Sequence, residues 1–212
     1  MNTNEKRKEE LRNMIVPVYG SFQGINTPIG TAFILKSGLV ITTAHIFYNS
    51  GIRNTCNYEI RLNGKNYLLN IPIFEEFKSD YPLPGEEAYL DLSVFNLQNE
   101  LIVNSELELS FNLEDWIYMM GYPFADDTLN TTHCDIDIGD YSYKTFSIEP
   151  FKRVVFSNCF RVQQFTGEGS SGGPVLSGNR VLGMIVFGHL KSGTTALKSE
   201  YIRGKLIELK LM

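Results

Sequence analysis

The sequence predicts an antiparallel β-sandwich or barrel closed by one C-terminal helix. Three observations carry that prediction. From Ile15 onward, short apolar runs recur at close spacing, broken by Gly, Asn and Pro. Many short strands joined by turns fit this texture better than alternating α/β units do. Fourteen Phe and eleven Tyr supply bulky residues that suit a pleated, half-buried surface. Apolar residues near helical spacing come at the end, where Tyr201, Ile202, Leu206, Leu209 and Met212 follow Ser199 as the expected cap.

Taken in order, residues 1–13 form a charged arm or short helix, with Asn4 as a cap ahead of "EKRKEELR". Charges of both signs are mixed there, as on a solvated face. "TAFIL" (31–35), "LVITT" (39–43), "YEIRL" (58–62) and "NYLLNI" (66–71) read as strands, punctuated by "KSG" and "NGK". "LSVFNL" (92–97) completes a first β half over 14–100, and a polar, partly strand-poor linker follows at 101–115. The second β half, 116–198, holds "WIYMMGY" (116–122), "RVVFS" (153–157), "GPVLS" (173–177), "RVLGMIVFG" (180–188) and "TTAL" (194–197). The terminal helix covers 199–212; Gly204 weakens it, since glycine costs a helix interior about 1 kcal/mol relative to alanine.

At 212 residues the chain holds one large domain or two small, closely packed ones. A net charge of −5 and a pI near 5.3 argue against a general nucleic-acid binder, which carries a basic balance. The three cysteines, Cys56, Cys134 and Cys159, show no paired spacing. Reduced thiols in a cytoplasmic or similarly reducing compartment are therefore expected. No apolar run has the length of a signal peptide at the N-terminus or of a membrane span elsewhere. Neither a membrane nor nucleic acid is an expected partner.

The stretch with chemical interest is "GEGSSGGPVLSG" (167–178), in which five glycines surround Ser170 and Ser171. It reads either as a flexible surface loop or as a cradle that presents one hydroxyl. A hydroxyl becomes a useful nucleophile when a base takes its proton during attack. The chain has three histidines. His45 ends the β-branched run "LVITTAHIF", His133 lies in the polar "NTTHCDID", and His189 follows a strand at "VFGHL". Each on its own could be structural or merely exposed. Asp91, at the head of an alternating apolar strand, should be partly buried and need a hydrogen-bond partner; it could equally cap a turn.

In their order, "GTAFIL", "ITTAH", "LDLSVFNL" and "GEGSSGGPVL" resemble the trypsin/chymotrypsin-like serine endopeptidases, in particular the bacterial kind related to the HtrA proteases. The resemblance runs from about Gly30 to the C-terminal helix, with "MMGYPF" and "NRVLGMIVFG" where members carry similar strands. It implies two six-stranded antiparallel β-barrels and hydrolysis of peptide bonds through an acyl-enzyme, with no metal or organic cofactor. By the resemblance, Ser171 is the nucleophile, His45 the general base and later acid, and Asp91 the carboxylate that fixes the histidine tautomer. The N–H groups of Gly169 and Ser171 match the oxyanion hole. Glycines at 169 and 172 permit the backbone angles that such a hole requires.

The sequence departs from the family pattern at several positions. Ser170 stands where secreted digestive members have the aspartate that pairs with a newly freed amine, so that switch is absent. Ile15-Val16 precedes Pro17 and is not read as an activation site. Ile46 replaces a frequent cysteine. Val186 replaces a serine that in many members bonds the catalytic aspartate, so Asp91 needs other partners. Phe165, six positions before Ser171, stands where an aspartate would select Arg or Lys.

With Thr166, Ile185, Val186, Phe187 and Gly188, Phe165 implies an apolar, shallow substrate pocket that prefers small or medium apolar residues before the cut. His189 lies just beyond. A protein or peptide substrate is expected, and a regulatory partner that completes the oxyanion hole would supply the restraint a cytoplasmic protease needs. Two other readings share the fold. One is a binding or scaffold module without turnover, whose usual sign is a broken triad. The other is a viral-type polyprotein-processing protease, which commonly uses cysteine.

Overall fold

The computed structural model describes residues 10–11, 13–22, 24–49, 52–77, 90–97, 105–113, 117–123, 128–133, 136–137, 141–144, 153–156, 158–189 and 193–212. Cys134 and most of the arm at 1–13 lie outside them, and His133 and His189 are described in their backbone only.

The first half holds β1 (Ile15–Phe22), β2 (Ile25–Ile34), β3 (Leu39–Thr42), β4 (Tyr48–Asn49), β5 (Ile52–Arg53), β6 (Tyr58–Leu62), β7 (Lys65–Leu68), β8 (Phe74–Phe77) and β9 (Asp91–Asn96). Seven of these form one antiparallel sheet in the order β7-β6-β1-β2-β3-β9-β8. The second half holds β10 (Glu108–Leu109), β11 (Ile117–Gly121), β12 (Asn130–His133), β13 (Ile136–Asp137), β14 (Tyr141–Lys144), β15 (Arg153–Phe156), β16 (Cys159–Val162), β17 (Pro174–Ser177), β18 (Arg180–His189) and β19 (Gly193–Lys198). Its main sheet runs β12-β11-β17-β18-β19-β16-β13, with β10 joining β18 in parallel. Among the described residues the two half-barrel sheets hold seven and eight strands, where the resemblance implies six each. The additional ones include two-residue pairings, too short for hydrophobic periodicity to mark.

The apolar runs are continuous because the central strands are buried on both faces. Ala32, Ile34, Val40 and Phe95 point into the first barrel, among Val18, Phe47, Tyr58 and Ile60. Their neighbours Phe33, Ile41 and Val94 point the other way, into a core shared with Met120, Leu176, Val181, Met184 and Leu197 of the second half. The second barrel repeats this alternation, with Val175, Leu182, Ile185 and Ala196 inside. One face fills a barrel and the other glues the two barrels together. At roughly 25 cal/mol per Å² of apolar surface removed from water, that shared core makes the halves one packed unit.

The stretch expected as a linker packs against the second sheet where it is described. Leu107 and Leu109 are buried in the shared core, and Ser110 N–H donates to Val181 O at 3.1 Å. In the N-terminal arm, Leu11 is buried in the same core, while Glu10 and Asn13 are exposed.

The terminal helix is Ser199–Glu208, shorter than the 199–212 expected. Ser199 is not its cap. β19 runs straight into the helix, extended Lys198 takes the cap position, and Ser199 is already helical and buried. Lys210 ends the helix in the left-handed region (φ 58°), with Lys210 N–H on Ile207 O and Leu211 N–H on Leu206 O. That paired closure satisfies two of the orphan terminal carbonyls. Ile202 and Leu206 face the shared core, and Tyr201 OH donates to Glu76 Oε2 of β8 at 2.8 Å.

Candidate active site

Strand pairing brings His45 to Asp91. β3 and β9 are antiparallel with Thr42 opposite Ser93, so the end of one meets the start of the other. His45 opens a 3-10 turn (His45–Phe47) directly after β3, and Asp91 is the first residue of β9 rather than the residue before it. Asp91 Oδ1 accepts the His45 backbone N–H at 2.8 Å, and its Oδ2 lies 2.5 Å from His45 Nδ1. The carboxylate side chain is fully buried, while the imidazole keeps 30% of its surface exposed. The main-chain N–H of His45 is thus one of the partners that Asp91 needs where Val186 replaces a serine.

Burial alone would pull the imidazole pKa down. The Asp91 charge and its hydrogen bond outweigh that effect and hold the group above its ordinary 6.5. An imidazole so placed has Nδ1 engaged, leaving Nε2 as the nitrogen that can exchange a proton with a reacting group.

The 167–173 loop is held by hydrogen bonds to its main chain. Ser170 N–H donates to Gly167 O at 3.2 Å, Gly172 N–H to Ile185 O at 2.8 Å, and Gly173 N–H to Ser170 O at 2.9 Å. From the first barrel, Thr31 N–H reaches Ser171 O and Thr31 Oγ1 donates to Gly169 O, both at 2.8 Å. The N–H groups of Gly169 and Ser171 donate to no acceptor among the described residues.

Two glycines let this loop nest between the barrels. A Cβ on Gly172, whose φ is +86°, would sit 2.0 Å from Thr31 O and 2.3 Å from Thr42 Oγ1. On Gly173 it would sit 2.2 Å from Met120 O. All three distances are far inside van der Waals contact, and the obstacles are mostly main chain.

His45 and Ser171 line one open cavity of about 540 Å³. All six residues expected at the substrate pocket, Phe165, Thr166, Ile185, Val186, Phe187 and Gly188, line it too. The floor is held by Thr166 N–H, which donates to buried Thr194 Oγ1 at 3.2 Å. Phe165 packs across it: a Cβ on Gly188 would stand only 3.2 Å from the Phe165 ring. Sequence reasoning missed Glu168, which brings a carboxylate to the cavity, and Thr31, which sits in the quoted "GTAFIL". Nothing in a linear pattern marks a threonine as a cross-barrel partner.

Neither described cysteine lines this cavity. Cys159 is buried, and burial pushes its thiol up to about 12, so it stays protonated. Cys56 and Cys159 form no disulfide. No helix of the described residues is long and apolar enough to cross a membrane.

This architecture is the two-barrel, chymotrypsin-like fold of the trypsin-like serine proteases. No protein-family model matches the chain. It is similar to the Rv3671c protease of M. tuberculosis in its active form, with a TM-score of 0.65 and 17% identity over 96% of this chain and 84% of that one. The inactive form of that protease matches almost equally well, at 0.64. A scabies mite inactivated protease paralogue also shares the fold, with a TM-score of 0.62 and 14% identity, covering 94% of this chain and 95% of its own. In sequence, the chain is 23% identical over 160 residues to a protein named as a mitochondrial Do-like protease of Arabidopsis thaliana. The match takes in 73% of this chain and spans about a quarter (25%) of that relative.

Proposed function

We propose that the chain is a serine endopeptidase that cuts protein or peptide substrates through an acyl-enzyme. The observation that carries this reading is the buried Asp91 held 2.5 Å from His45 Nδ1, on a cavity that Ser171 also lines. In the proposed reaction Ser171 Oγ attacks the scissile carbonyl carbon while His45 Nε2 takes the hydroxyl proton. Asp91 keeps the Nδ1–H tautomer and stabilises the imidazolium that forms. The carbonyl oxygen becomes an oxyanion facing the unbonded N–H groups of Gly169 and Ser171. Collapse breaks the C–N bond, and the imidazolium gives its proton to the leaving amine. Water, deprotonated by His45, then releases the acyl group.

The substrate preference follows from Phe165. Its ring against Gly188 fills depth that a long side chain would need, so small apolar residues before the cut are favoured. A fluorophosphonate probe tests the reaction directly. The protein should be labelled on one serine and Ser171→Ala should not. An unlabelled wild-type protein would support the fold-only binding module instead, an outcome that fold similarity leaves open because an inactivated paralogue shares this fold.

A further inference from the structure

Resting on that reading, we propose that Thr31 is a positioning residue: from the first barrel it clamps the 167–173 loop so that the Gly169 and Ser171 N–H groups stay available to an oxyanion. The side chain is fully buried, and every polar group of the residue has a job. Thr31 Oγ1 gives its single proton to Gly169 O at 2.8 Å and accepts Tyr122 N–H at 3.0 Å. Thr31 N–H goes to Ser171 O, and Thr31 O accepts from Thr42 Oγ1 at 2.7 Å. One residue of the first barrel therefore grips two carbonyls of the loop, one on each side of Ser170.

Each grip fixes the peptide that directly follows one of the donors. A peptide group is planar, with its N–H and C=O pointing opposite ways, so holding a carbonyl fixes the direction of the neighbouring units. The peptide that bears Ser171 N–H has its carbonyl, Ser170 O, held by Gly173 N–H. Its N–H is thereby turned away from that bond. Gly169, at φ +92°, makes the turn that places the other donor, and Thr31 Oγ1 holds the carbonyl on the far side of that turn. If Gly169 O were released, its peptide would keep only the 3.2 Å bond from Ser170 N–H to Gly167 O, and glycine, without a Cβ, leaves the ψ of Gly169 free to turn.

In family members with an activation switch, an aspartate just before the nucleophile supplies the anchor. Here Ser170 stands at that place, buried against Gly121, and the anchor comes from Thr31 instead. The clamp is built from side-chain and main-chain atoms of this chain.

The test is a steady-state series on a peptide substrate with a small apolar residue before the cut, alongside inhibition by a peptide aldehyde. The aldehyde forms a hemiacetal with Ser171, and its oxygen needs the same two N–H donors. Thr31→Val keeps the shape and removes the hydroxyl. It should lower kcat by on the order of ten- to a hundredfold, the scale of a small misplacement of catalytic groups, while KM changes by less than about threefold. Aldehyde affinity should fall in step with kcat/KM, and Thr31→Ser should restore most of both.

A Thr31→Val protein with wild-type kcat would overturn the proposal. So would a loss confined to KM, or a loss that Thr31→Ser fails to rescue. If Thr31→Val does not fold, Thr31→Cys replaces it: its weaker donor must lower kcat, and full activity would again overturn the clamp. Failure of the serine-peptidase reading is distinct, because the wild-type protein itself would then resist the fluorophosphonate.

Discussion

The two halves of the molecule furnish their parts of the site by different means. The first barrel supplies side chains: His45 and Asp91 stand at neighbouring strand ends, and their link is one direct contact beside a main-chain N–H. The second supplies shaped backbone, a loop whose main chain is hydrogen-bonded from both barrels and dependent on positions without a Cβ. The acid–base pair should therefore be sensitive to chemistry and indifferent to shape. Apart from the Ser171 hydroxyl, the loop should depend on shape and be sensitive to one added carbon.

The strongest way to break that contrast is Asp91→Asn, which keeps the shape and removes the charge. Turnover should drop by about 10⁴-fold with the fold intact. In the wild-type protein, kcat/KM should rise with pH through a midpoint above 6.5, because the reactive imidazole must be neutral and Asp91 holds its pKa up. In Asp91→Asn only the lowering effect of burial remains, so the residual acid limb should move to lower pH. A midpoint that stays put would remove Asp91 from its role. The same shift bears on stability. The charged imidazole favours the native state, a contribution complete below pH 6.5 and lost as pH rises through the higher native pKa.

Gly172→Ala sharpens the other side. A positive φ alone costs a non-glycine residue roughly 1–3 kcal/mol, and the overlap with Thr31 O adds to it. Urea unfolding should show the loss, together with a fall in activity; a variant of unchanged midpoint would mean that the loop is not so tightly nested. Phe165→Ala should act on neither mechanism. It should deepen the pocket and favour larger apolar residues before the cut by about tenfold, the scale of a few methylenes in an apolar pocket. A peptide-library profile identical to wild type would detach Phe165 from specificity. Smallest, Gly204→Ala in the terminal helix meets open space and should stabilise by about 0.5–1 kcal/mol in thermal melting. The two glycine variants should thus have opposite signs.

Much of this was legible in the chain. "TAFIL", "LVITT" and "YEIRL" announced strands because β-branched and aromatic residues were bounded by turn residues, and β6 has the bounds expected. Strands such as β8 ("FEEF"), β10 and β13 were missed, since short or charged segments gain their order from a neighbouring strand. Ser199 looked like a cap by type, yet the cap position depends on where β19 stops. His45, Ser171 and the six expected pocket residues line one cavity, but Glu168 and Thr31 gave no sign, because a linear pattern does not mark which residues the fold brings to that cavity.

By itself, the sequence determined the β-rich class, the terminal helix, and which His, Asp and Ser were worth watching. The first two follow from periodicity and residue type, which are local quantities, and the choice of His45, Asp91 and Ser171 follows from the resemblance that their motifs carry in order. Only the tertiary structure decided that the central strands are buried on both faces, that Asp91 uses the His45 main chain as a partner, and that Thr31 grips the loop from 138 positions away. Such contacts depend on which surfaces two barrels press together, and a hydrogen bond between distant residues exists only after that packing is fixed.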